Sequence, residues 1–130
     1  MTAHLIQSLQ GRGERTLEDL EKIRVSLRRL MWGKVGLVRT GDSLVNALGQ
    51  ISRWEALFEH SPLRRGDLEV KNMIQVGRCI AEAALWRENS LGAHFRADFP
   101  NHQGREWKTH SLIQRPLLQN PSVEDSSQAI

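Results

Sequence analysis

His94, Arg96 and Asp98 stand at alternate positions in the stretch Glu88–Pro100 (E-N-S-L-G-A-H-F-R-A-D-F-P), with Phe95, Ala97 and Phe99 between them. In an extended chain, residues two apart share a face, so a His/Arg/Asp row lies on one side and an apolar row on the other. Three chemistries suit such a row. An imidazole near a carboxylate can move protons. His94 and Asp98, joined by His102 or His110, can ligate a metal. Alternatively, the row supplies polar contacts around two phenylalanine anchors that rest on another surface. The first reading lacks a nucleophile, an oxyanion donor or a Gly-rich loop. The second lacks a recognised ligand spacing, and a metal needs three or four converging groups. Large apolar side chains on an irregular segment need something to cover them, so docking is the reading the residues favour. No catalytic, cofactor-binding or metal-ligating residue is assigned to the chain.

The elements that must position this segment are helical. Thr16 precedes Leu17, Leu20, Ile23, Leu27, Leu30 and Met31, whose spacing by three and four predicts a helix. Thr16 is a candidate N-cap, Glu18 and Asp19 suit the first turn, and Gly36 is a candidate left-handed stop. After Leu37-Val38-Arg39, the group Thr40-Gly41-Asp42-Ser43 caps a second stripe of Leu44, Ala47, Leu48, Ile51, Trp54, Leu57 and Phe58. Pro62 disfavours helix in the residue before it. Asp67 is a candidate cap for a third stripe of Val70, Met73, Ile74, Gly77, Ile80, Ala81, Ala84 and Leu85, in which Gly77, Ala81 and Ala84 leave room for a close neighbour. The expected fold is all-α: an antiparallel three-helix bundle followed by an irregular or short-strand C-terminal extension. Residues 1–15 read as a linker or flexible arm, 16–100 as the bundle with its docking segment, and 101–118 as the extension, with W-K-T-H-S-L-I-Q a candidate strand. Residues 119–130 read as a disordered tail.

With 130 residues the chain suits one domain, and 18 basic against 15 acidic residues leave a formal charge of +3. Arg24, Arg28, Arg29, Arg64, Arg65, Lys71 and Arg78 form a candidate phosphate-binding face, but Glu18, Asp19, Glu21, Glu69 and Glu82 are interspersed. Pairs such as Glu18/Lys22 and Glu21/Arg24 predict a solvated, salt-bridged surface, so nucleic acid is not an expected partner. Neither a secretory leader nor an apolar run of about 20 residues is evident. Cys79 is the single cysteine, which excludes an internal disulfide. These features point to a cytoplasmic protein with no membrane partner. Cys79 reads as a buried small hydrophobe. Trp54 reads as core, while Trp32 and Trp86 sit at helix ends, placed to cover the bundle or reach a neighbour.

Three segments carry a resemblance: L-R-R-L-M-W-G-K-V-G-L-V-R-T-G-D-S-L (27–44), E-V-K-N-M-I-Q-V-G-R-C-I-A-E-A-A-L (69–85) and R-E-N-S-L-G-A-H-F-R-A-D-F-P (87–100). Together they resemble the C-terminal helical domain of L-aspartate oxidase, a domain shared with succinate dehydrogenase and fumarate reductase flavoproteins. The likeness covers roughly residues 16–114, and M-W-G-K-V-G-L-V-R leans towards aspartate oxidase. It implies a three-helix bundle appended to a much longer FAD-binding body that passes a hydride from a four-carbon dicarboxylate to flavin. In aspartate oxidase the product, iminoaspartate, feeds NAD synthesis. Cofactor and substrate contacts of that family lie upstream, and this chain has no G-x-G-x-x-G stretch. It is therefore expected to bind no cofactor and to be inactive alone, with FAD in the parent enzyme; the alternative is a standalone interaction module that kept the bundle and lost the enzyme. Its expected partner is the FAD-binding domain, in cis or in trans, and its expected interface is Arg39, His94, Phe95, Arg96, Asp98 and Phe99. An isolated copy with an uncovered apolar face is also expected to self-associate. One departure stands out. Where the family usually reads E-S-R-G-A-H, this chain has Leu91 in place of the arginine.

Overall fold

The computed structural model describes residues 15–59, 63–101 and 108–114. Among them are three helices: α1 (Leu17–Lys34), α2 (Gly41–Ala56) and α3 (Arg65–Trp86). Each begins where a side chain satisfies backbone groups that the first turn leaves free. Thr16 Oγ1 accepts the N–H of Asp19 at 3.1 Å, and the Asp19 carboxylate accepts the N–H of Thr16 at 2.9 Å. Thr40 and Ser43 repeat the same reciprocal box on α2, both bonds being 3.1 Å. On α3 the cap differs from the expectation. The helix starts two residues before Asp67, which works from within the first turn by accepting the N–H of Arg64 at 2.9 Å.

The expected left-handed stop at Gly36 is also corrected. Among the described residues Gly92, at φ 59°, is the glycine with positive φ, and α1 ends on Val35 at φ −121°. Gly36 is required for space instead, because a Cβ there would collide with the Trp32 carbonyl.

The helices form an antiparallel bundle. A Cβ on Gly66 would meet Leu20, and one on Gly77 would meet Met31 at 3.3 Å and Leu27 at 3.5 Å. α1 and α3 therefore run in the same direction, with α2 reversed between them. Apolar burial divides into two clusters. Leu20, Ile23, Leu27, Ile51, Trp54, Leu57, Phe58, Val70 and Ile74 fill one end. Val35, Leu44, Ala47, Ala81 and Ala84 fill the other, where small side chains let α2 and α3 approach closely. Trp54 is core, as its stripe predicts. Cys79 is only half-buried, so its expected burial is corrected: its position on α3 falls beside the packed stripe rather than within it.

Arg15 lies at the edge of the stretch expected to be a loose arm, yet it is buried. Its Nε donates to Asp67 at 3.1 Å, its Nη1 donates to the Leu57 carbonyl, and its guanidinium stacks over Phe58 at 4.3 Å. Residues 1–14 lie outside the described residues, as does the expected tail at 119–130. Lys108–Gln114 are irregular, and no strand is formed among the described residues there. An isolated run with no neighbouring strand has nowhere to send its backbone hydrogen bonds.

Two glycines give opposite expectations. Gly77→Val drives bulk into Met31, Leu27 and Ile51 and should lower unfolding stability by about 1–3 kcal/mol. Gly49, inside α2, has nothing within 4 Å of an added Cβ, so Gly49→Ala should raise stability by roughly 1 kcal/mol. Urea unfolding of both variants checks the pair.

Candidate functional site

The antiparallel packing of α2 and α3 sets the end of α3 beside the start of α2. A helix C-terminus presents unpaired carbonyls and partial negative charge, and an N-terminus presents unpaired N–H groups and partial positive charge. The segment after α3 supplies one ion pair that answers both. Arg96 Nη1 donates to the carbonyls of Ala84 (3.1 Å) and Leu85 (2.9 Å), with a longer contact to that of Arg87 (3.4 Å). Its Nε and Nη2 fork onto the two oxygens of Asp98 at 2.8 and 2.7 Å. Asp98 in turn accepts the N–H of Gly41, the first residue of α2, at 2.9 Å. The Arg96 guanidinium holds the Asp98 carboxyl well below the usual carboxylate range against the opposing effect of burial, and the Gly41 N–H adds to it. Arg96 is 2% exposed, so its charge is spent wholly within the chain.

His94 is held by two further groups. Arg39 Nη1 donates to its Nδ1 at 2.9 Å, which makes Nδ1 the acceptor and leaves Nε2–H to donate to the Arg87 carbonyl at 3.0 Å. This network fits the neutral ring. Burial pushes the His94 pKa below its ordinary value, and nearby Arg39, Arg87 and Arg96 push the same way against the hydrogen bond to Arg87. Burial likewise lowers the Arg39 pKa. Both ring nitrogens of His94 are occupied, and among the described residues no group of three His, Cys, Asp or Glu side chains converges.

The alternation expected across 94–98 holds only as far as Arg96. A tight turn closes 91–94, with Leu91 and His94 exchanging backbone hydrogen bonds at 2.9 and 3.1 Å and Gly92 in the left-handed region. A second turn follows, the Phe99 N–H reaching the Arg96 carbonyl at 3.0 Å. Asp98 comes back to Arg96 through that turn, not along an extended face. Between the turns, Arg39 and Arg96 form a parallel bridge: the Arg39 N–H donates to Phe95 O at 3.0 Å and the Ala97 N–H to Arg39 O at 2.7 Å. Phe99 is half-buried, its ring 5.0 Å from the Arg96 guanidinium, whereas Phe95 is exposed.

The structure thus brings together all six residues expected at an interface, and turns four of them, Arg39, His94, Arg96 and Asp98, onto one another and onto helix ends. Two partners were not singled out by type or spacing. Ser90 Oγ accepts the Arg96 N–H at 3.0 Å and donates to the Phe99 carbonyl at 2.8 Å, fastening the second turn to the first. Gly41 leaves room for the ion pair, since a Cβ would lie 3.0 Å from Asp98 Oδ2 and 3.2 Å from Arg96 Nη2. The glycine in T-G-D-S was a signal for the latter. Asn89 is fully buried with neither amide atom hydrogen-bonded, a cost of about 1–3 kcal/mol.

The candidate phosphate-binding face is largely paired. Arg78 bonds Glu55 through two nitrogens at 2.6 and 2.8 Å and Glu82 at 3.1 Å, joining α2 to α3. Arg24 lies near Glu21 and Glu69, Arg64 near Asp67 and Arg65 near Glu69. Asp67, at the far end of the bundle, keeps a lowered pKa: burial would raise it, but the Arg64 N–H and the Arg15 guanidinium outweigh that.

The family described as "Fumarate reductase flavoprotein C-term" matches residues 24–128. The chain belongs to that family. An uncharacterised FAD-dependent oxidoreductase of Methanocaldococcus jannaschii is 34% identical over 92 residues, covering 67% of this chain and 17% of that protein. The fumarate reductase flavoprotein subunit of Helicobacter pylori is 29% identical over 119 residues, 82% of this chain and 17% of the subunit. L-aspartate oxidase of Synechocystis is 30% identical over 127 residues, 78% of this chain and 23% of the enzyme. The chain spans about a fifth of the length of these curated relatives. No solved structure matches it. No helix among the described residues is long and apolar enough to cross a membrane. Leu91, which stands where the resemblance leads one to expect arginine, is exposed, so this departure falls on the surface.

Arg96→Lys keeps the charge but loses the fork, and should lower stability by about 2 kcal/mol, the scale of hydrogen bonds to charged groups. Because folding disfavours protonated His94, its contribution is fully present above the ordinary value of 6.5 and lost as pH falls below it. Urea midpoints taken from pH 8 to pH 5 should decline in the native protein, and the decline should be shallower in His94→Gln.

Proposed function

We infer that this chain is the C-terminal helical domain of an FAD-dependent L-aspartate oxidase, with a structural role and no part in the chemistry. Family membership and coverage of only a fifth of each relative support the first half of this reading. The observation that carries the second is the internal use of the polar row. Arg39, His94, Arg96 and Asp98 bond one another and the helix ends, and a group so committed is not free to bind a dicarboxylate or move a proton to it. The residues also do not fit a flavin site: among those described there is no strand-turn-helix cradle for a pyrophosphate. FAD, oxidation of L-aspartate to iminoaspartate and supply of NAD synthesis are accordingly assigned to an upstream body, in cis or in trans, in a cytoplasmic enzyme. Glu88–Pro100 is the segment that docks there, with Phe95 and Phe99 as its anchors.

A second reading has its own support. Fumarate reductase subunits from Helicobacter pylori and Mycobacterium tuberculosis, at 29% and 30% identity, match as well as the aspartate oxidases of Synechocystis and Nostoc at 30% and 28%. The preference for aspartate oxidase rests on the phrase M-W-G-K-V-G-L-V-R (31–39).

The protein purified with its upstream body should be yellow and should reduce its flavin on addition of L-aspartate, releasing iminoaspartate. Flavin reduction by succinate, with none by aspartate, would instead select the second reading. The 130-residue chain alone should be colourless, and FAD retained by it in equal amount would overturn the assignment of the cofactor upstream.

A further inference from the structure

The parallel bridge between Arg39 and Arg96 sorts its neighbours by side. In paired extended segments, residues opposite one another share a face and the adjacent pair takes the other face. Arg39 and Arg96 form one pair and face the bundle; Val38 and Phe95 form the next and face away. Exposure agrees with that geometry, Val38 being 62% and Phe95 39% exposed, against 2% for Arg96. Leu37, just before Val38, is 78% exposed. Leu91, joined to His94 by the two hydrogen bonds of the 91–94 turn, is 54% exposed. One end of the molecule, where α1 stops, α2 starts and the chain leaves α3, thus carries four exposed apolar side chains on two adjoining loops. The Arg39, His94, Arg96 and Asp98 side chains beneath them are already hydrogen-bonded. Arg39 Nε donates to the Val35 carbonyl at 3.1 Å, and His94, Arg96 and Asp98 are engaged as described.

We propose that Leu37, Val38, Leu91 and Phe95 form the face that docks onto an apolar patch of the upstream flavin-bearing body. The inference rests on the reading of the chain as one domain of a flavoprotein, and it names the surface by which that domain is held. The occupant follows from coverage: relatives carry about four-fifths of their length outside the matched region, and loop-borne apolar groups backed by a rigid clasp suit burial against a large neighbour. The interface is apolar at its centre, because the four exposed side chains that form it carry no charge.

Cysteine accessibility tests the face without disturbing the core. In a Cys79→Ser background, Val38→Cys and Leu91→Cys probe the proposed surface, and Val76→Cys probes another exposed apolar position, on α3. Each chain is treated with a maleimide alone and after mixing with the upstream flavin-bearing polypeptide. The expected result is association, with labelling at positions 38 and 91 slowed at least tenfold and labelling at position 76 unchanged. Val38→Glu should weaken that association at least tenfold while leaving the helical circular dichroism intact. If the native chain and the upstream polypeptide do not associate, the reading of the chain as a flavoprotein domain fails and the face fails with it. If they associate while positions 38 and 91 stay reactive, the flavoprotein reading stands and the proposed face is wrong.

Discussion

The fork of Arg96 on Asp98 is the contact that the rest of this end of the molecule depends on. Antiparallel helices joined by a loop leave opposite partial charges side by side at their shared end. Here a guanidinium caps the carbonyls of α3, and the carboxylate it holds caps the first N–H of α2. One pair, two residues apart in the chain, closes a seam between residues more than forty positions apart. Arg39 and His94 are gathered around it, and the bridge at Arg39 follows from its position.

The opposite end of the bundle is closed on similar terms. Arg15 and Asp67 pair out of solvent, with Asp67 also capping α3 and Arg15 also serving the last turn of α2 through the Leu57 carbonyl. Charges buried at both ends contribute little net stability compared with well-packed apolar groups, but once paired they penalise any arrangement that separates them. The apolar clusters between them supply the driving force. Together these features hold three helices of ordinary length in a single register.

Such a construction suits an accessory domain. Four polar side chains that sequence reading marked, Arg39, His94, Arg96 and Asp98, are consumed in holding loops to helix ends, and the same loops present Leu37, Val38, Leu91 and Phe95 outwards. Under the proposed reading, rigidity is the contribution of the clasp to the interface: side chains on pinned turns lose less freedom on docking than side chains on a free strand.

The helices were legible because their causes are local. Stripes spaced by three and four mark the buried faces, and the Thr16 and Thr40 boxes lie within four residues of the turns they cap. Gly36 was legible as a helix end but not for its reason, since contact with the Trp32 carbonyl depends on the path of the chain. The exit segment was legible in composition and misleading in direction. Alternation assigns faces only while the backbone stays extended, and two turns break that condition around Arg96. The sequence alone therefore determined three amphipathic helices, the N-caps of the first two and a polar-aromatic segment after them. Only the tertiary structure decided that the polar row turns inwards, because its partners at Arg39, Gly41 and the end of α3 are brought close by bundle packing rather than by spacing along the chain.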